Sequence, residues 1–145
     1  MRGPKRRVWC DASVDAKAGI AFGAFFSEKM RFPAVSKLEG TTSVEAEIET
    51  LLLAVRNSEK CSQIMTDLSE IRHYMEAWAD RDLIIQLRQA LQKKQSSIKY
   101  CPPKWRPKLY HSCHRAARAS MIEQRRKEAN LALEELTRRN KKFKV

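Results

Sequence analysis

Three short strand-type runs crowd into the first forty residues, and from there helical and strand-like segments alternate, an order that few folds accept. Residues 7–11 read as a strand with Val8 and Cys10 on one face and Trp9 on the other. Residues 19–27 form a second run and residues 30–36 a third. Glu28-Lys29 is the turn between them, and Pro33 marks the third as an edge. Strands this close together pair as an antiparallel meander. Gly40-Thr41-Thr42-Ser43 then interrupts the pattern. Thr42 or Ser43 can cap the next helix, with Glu45 where a capping-box acid falls. Ala46, Glu47, Thr50, Leu51 and Ala54 share one face of that helix, and Leu52, Leu53 and Val55 widen it, which predicts deep burial. Residues 63–66 are apolar and end at Asp67, the pattern of a central strand. Helices are expected over 68–78 and 81–94, and a fifth strand over 97–101. Three prolines make 101–107 a loop. From His111 the chain reads as helical nearly to Asn140. The expected architecture is α/β: a five-stranded mixed sheet, its first three strands antiparallel, flanked by helices and closed by a long C-terminal helix. The 145 residues suit one domain over 7–120, with a basic lead at 1–6 and a basic helical extension at 121–145.

Four short pieces carry chemistry on this framework: Cys10-Asp11-Ala12-Ser13, Ala46-Glu47-Ile48-Glu49-Thr50-Leu51, Thr66-Asp67-Leu68-Ser69 and Cys113-His114-Arg115-Ala116. Asp11 and Asp67 each follow an apolar strand-like run. Glu47 lies on the apolar face of its helix, whereas Glu45 and Glu49 can point to solvent. Asp67 can also cap a helix beginning at Leu68, a role compatible with ligation. A buried carboxylate is costly unless paired or bound to a metal. Carboxylates are hard oxygen ligands that suit Mg²⁺ or Mn²⁺. Cys10, Cys61, Cys101 and Cys113 are widely spaced, contain no CxxC pair and fit no zinc pattern, so free thiols, mostly buried, are expected.

Lys and Arg number 29 against 17 Asp and Glu, a net charge of +12. The excess is clustered at Arg2, Lys5, Arg6 and Arg7, at Lys104, Arg106 and Lys108, and at Arg138, Arg139, Lys141, Lys142 and Lys144. Clustered positive charge points to a polyanion, most simply nucleic acid. No apolar run approaches the roughly 18–20 residues needed to cross a bilayer, and the N-terminus lacks a signal-peptide core, so no membrane role and an intracellular location are expected.

Taken together, these segments resemble ribonuclease H type 1. The first-strand D-[GA]-S pattern is Asp11-Ala12-Ser13. The T-[NS]-x-x-A-E-x-x-A-L helix start is Thr42-Ser43-Val44-Glu45-Ala46-Glu47-Ile48-Glu49-Thr50-Leu51, and the fourth-strand T-D-S is Thr66-Asp67-Leu68. Arg81-Asp82-Leu83-Ile84-Ile85-Gln86-Leu87 is similar to the aspartate-leucine helix before the last strand of the family. The resemblance spans about residues 7–120. It implies an endonuclease that cuts the RNA strand of RNA–DNA hybrids with two divalent ions, Mg²⁺ or Mn²⁺. It also implies Asp11, Glu47 and Asp67 as ligands, with Asp11 bridging. The fourth ligand of the family is usually an aspartate. Here His114 takes that place, as in the Asp-Glu-Asp-His set of some related nucleases, and imidazole shifts preference toward Mn²⁺. The basic handle helix of many bacterial members is missing, and the long C-terminal helix is a candidate to replace it or to dock a protein partner.

Phosphates are expected to meet Lys104, Arg106, Lys108, Arg115 and Arg118. Trp105 can stack on a sugar or base, or plug the sheet edge. Ser13, Thr42 and Ser43 are candidates for contacts to a 2′-hydroxyl. Two alternatives stand beside hybrid cleavage: a nuclease for branched DNA or double-stranded RNA, and a catalytically weak nucleic-acid-binding or scaffold protein.

Overall fold

The computed structural model describes residues 6–40, 42–102, 104 and 108–143, leaving out the side chains at 109, 142 and 143. Its elements run β1 (Arg6–Asp15), β2 (Ile20–Ser27), β3 (Ala34–Lys37), α1 (Ser43–Arg56), β4 (Ser62–Thr66), α2 (Ile71–Ala77), α3 (Asp82–Lys94), β5 (Ser97–Tyr100) and α4 (Lys108–Phe143). They build one five-stranded sheet in the order β3-β2-β1-β4-β5. β1, β2 and β3 pair antiparallel, and β4 and β5 run parallel to β1. The expected α/β class, mixed sheet and long last helix are present. β3 is an edge strand, as Pro33 suggested.

Alternation along β1 divides the core between the two faces of the sheet. Val8 and Cys10 join Phe25, Ile64 and the apolar sides of α1, α2 and α3, where Ile48, Leu51, Val55, Ile71, Ile84 and Leu87 are buried. Trp9 lies on the other face with Ala24, Phe26 and Met65, covered by Tyr110, Cys113 and Ala117 of α4. Each fully buried large aliphatic side chain contributes about 1.5–3 kcal/mol. Thr42 caps α1, its hydroxyl accepting from the Glu45 amide at 3.3 Å. Gly23 lets α1 sit close on β2, because a Cβ there would run into the Thr50 side chain.

Several boundaries differ from the sequence expectation. β1 continues to Asp15, because β2 pairs with it as far as Asp15↔Ile20 and the Asp15 carboxylate closes the turn by accepting from the Ala18 amide. Acids at 11 and 15 disguise this as a strand end. β3 starts at Ala34 rather than residue 30, since the Met30 amide is used in a turn to the Ser27 carbonyl. α2 starts at Ile71, not 68. The Leu68 amide donates to Thr66 Oγ1 instead, so Asp67 does not cap a helix. α4 begins at Lys108, before His111, and runs unbroken past residue 120. Its 36 residues make it about 54 Å long. It is buried against the sheet at Tyr110, Cys113, Ala117 and Met121, and every later residue through 141 is exposed except half-buried Gln124. None of the described helices is long and apolar enough to cross a membrane.

Candidate metal centre

Strand register brings the two aspartates level. The β1–β4 pairing ends at Trp9↔Met65. Two residues further on lie Asp11, which the alternation of β1 keeps on the face of Trp9, and Asp67, just past the end of β4. β4 ends at Thr66, so no strand flanks β1 on that side beyond this point. Glu47, from the first turns of α1, reaches in and accepts a hydrogen bond from the Ala12 amide through Oε1 at 3.2 Å. The ligand atoms of Asp11, Glu47 and Asp67 lie within 4.8 Å of one another.

α4 closes the group from the other side. His114 Nδ1 lies 2.6 Å from Asp11 Oδ2. Tyr110, one turn earlier on the same helix face, donates its hydroxyl to Asp67 Oδ2 at 2.8 Å. Between them, Cys113 anchors the helix to β1, its Sγ 3.3 Å from the Trp9 carbonyl. Arg125 Nε lies 2.7 Å from Asp15 Oδ2 and fixes the helix to the end of the same strand.

The electrostatics are those of crowded, dehydrated like charge. Burial raises the Asp11 carboxyl, and the Asp67 charge adds to this against the lowering contacts with His114 and Glu47. Glu47 is pushed well above its ordinary 4.5, first by burial and then by Asp67 and Asp11. Its Oε2 is buried with no hydrogen-bond partner. An orphaned oxygen beside two further carboxylates fits a hard divalent cation, which would satisfy it and reverse the repulsion. The nearby thiols do not belong to the chemistry. Burial raises Cys10 strongly and pushes Cys113 up to about 12, with Asp11 adding to both, so each stays protonated and inert.

The other sequence candidates fall around this centre unequally. Ser13 is half-buried on β1, two residues beyond Asp11. Thr42 and Ser43 are exposed at the start of α1, and the Thr42 hydroxyl is occupied as a cap. Lys104, Lys108, Arg115 and Arg118 are exposed, and none makes an ion pair among the described residues. Arg118 lies one turn beyond His114 on the same helix face. Trp105 and Arg106 lie outside the described residues. Glu49, expected to face solvent, instead accepts from the Glu39 and Gly40 amides at 3.1 and 3.0 Å and ties down the entry to α1. Sequence reading missed Tyr110; its i, i+4 spacing from His114 was the available signal.

A search against models of protein families matched none, and no curated protein matches the chain.

Proposed function

We propose that this protein is a ribonuclease H-like endonuclease that hydrolyses the RNA strand of RNA–DNA hybrids, using two Mg²⁺ or Mn²⁺ ions. One observation carries the reading: three carboxylates, from within β1, from α1 and from just past β4, have ligand atoms within 4.8 Å of one another. The five-stranded mixed sheet and the motif order of the resemblance support it, as does the net charge of +12. Asp11, Glu47 and Asp67 would hold the ions. When bound, the ions supply Lewis acidity toward the attacking water and the leaving 3′ oxygen.

The remaining work falls to the chain's own residues. With Asp11 ionised, His114 Nδ1 must carry the proton of their shared hydrogen bond, and in the neutral imidazole Nε2 then has a lone pair. The ring is half exposed, so Nε2 can take a proton from the attacking water or serve as a fourth ligand. Lys104, Lys108, Arg115 and Arg118 offer exposed cations to phosphates, and Ser13 a hydroxyl to a 2′-OH. Each phosphate neutralised steepens the salt dependence of binding by about 0.9 in log–log slope.

His114 in place of a carboxylate favours a second reading, a nuclease of the same fold acting on branched DNA or double-stranded RNA. One assay separates these. Labelled hybrid, duplex RNA and a four-way junction are incubated with the protein in Mg²⁺ and in Mn²⁺, beside Asp67→Asn. Hybrid cleavage alone, lost by about 10³-fold or more in the variant, is expected. Cleavage of junctions or duplex RNA instead would move the assignment to the second reading. Binding without cutting would reduce the protein to a nucleic-acid-binding module.

A further inference from the structure

We propose that Tyr110 is a positioning residue for the metal centre: its hydroxyl selects which oxygen of Asp67 faces the ion. The inference rests on the metal-centre reading above. Among the described residues, each of the three carboxylates has an oxygen held by a partner outside the trio. Asp11 Oδ2 is held by His114, Glu47 Oε1 by the Ala12 amide, and Asp67 Oδ2 by Tyr110. At Asp67 this leaves the opposite oxygen, Oδ1, for an ion.

Asp67 needs this support most. Asp11 stands on a strand that is paired through Asp15, and Glu47 within a capped helix. Asp67 lies after the last residue of β4 and four residues ahead of α2, in backbone that belongs to neither element. It is not a helix cap, so its side chain is not fixed locally.

Tyr110 supplies what the backbone does not. Tyr110 is 7% exposed, packed in the cluster of Trp9, Met65 and Cys113, so the hydroxyl is carried on a rigid support. A neutral O–H donor holds one carboxylate oxygen without adding charge that would compete with the ion. Donors to ligating groups of this kind typically matter 10–100-fold in metal affinity.

The test is Mn²⁺ and Mg²⁺ binding by calorimetry to wild type, Tyr110→Phe, Asp67→Asn and the double variant, all free of nucleic acid. Phenylalanine keeps the ring in the core. Affinity is expected to fall about tenfold or more in Y110F and to fall no further when Y110F is added to D67N. In parallel, the Tyr110 ring carbon bearing the hydroxyl, assigned by its loss in Y110F, is followed by NMR in labelled wild type. Its resonance should move with Mg²⁺ and saturate with the calorimetric curve. Equal affinity in wild type and Y110F, additive losses, or a stationary resonance would each overturn the role of Tyr110. If wild type takes up neither ion, it is the metal centre itself that fails.

Discussion

Where β1 and β4 begin, Glu59 accepts from Lys29 at 3.2 Å and pairs with Arg6, in the open around a cleft of about 340 Å³. Just past the point where the pairing of the two strands ends, Asp11, Glu47 and Asp67 crowd together, with Asp11 only 2% exposed. Charge at the first end is balanced by local partners and by water. At the second, among the described residues, three acids share two neutral hydroxyl or amide donors and one histidine. The same pair of strands therefore carries a surface at rest with its charge and a cluster of acids that could hold a cation.

The largest effect expected from breaking this contrast is at Glu47. Its carboxyl is raised in the folded protein, so between its ordinary 4.5 and the folded value the native state binds the extra proton. Stability from this group is thus greatest at low pH and is lost as pH rises through the folded value. Glu47→Gln removes the penalty while its amide oxygen still accepts from Ala12. In chelator, the variant should melt at about the wild-type temperature near pH 4 and about 3 °C or more above it at pH 8. Saturating Mg²⁺ should stabilise wild type and leave the variant nearly unmoved. A wild-type advantage at pH 8 without metal would mean the acids are not in conflict.

Glu59→Gln sharpens the same comparison from the other side. Exposed ion pairs contribute little, so the melting temperature should change by no more than about 2 °C at either pH, with or without Mg²⁺. A larger change would show that this end is not the neutral reference.

Much of this contrast was legible in the sequence, for identifiable reasons. Asp11 and Asp67 stood out because each breaks an apolar run, and parallel register then makes them neighbours. Glu47 stood out because an acid on the Ala46–Leu51 face has no reason to be there unless something binds it. What was hidden depends on contacts distant along the chain. Tyr110 lies 43 residues from Asp67, in a stretch whose prolines masked the true start of α4. The absence of an Asp67 cap follows from a hydroxyl contact, Thr66 Oγ1 to the Leu68 amide, that no periodicity reveals. Glu49 read as a surface acid because its partners are backbone amides nine and ten residues upstream.

The exposed half of α4 follows the same division. Periodicity marks Ile122, Ala129, Leu133 and Leu136 as a thin stripe, and Ile122, Leu133 and Leu136 are 46, 61 and 55% exposed. Side chains that the sheet holds stop at Met121, apart from the Arg125–Asp15 pair.

Direct titration of the chelated protein with Mn²⁺, followed by calorimetry at neutral pH and repeated on Glu47→Gln, reaches the centre of the account. Saturable uptake by wild type, weakened tenfold or more by that single change of one oxygen to an amide, is the predicted result. Uptake equal in both proteins, or none of either Mn²⁺ or Mg²⁺, would contradict it.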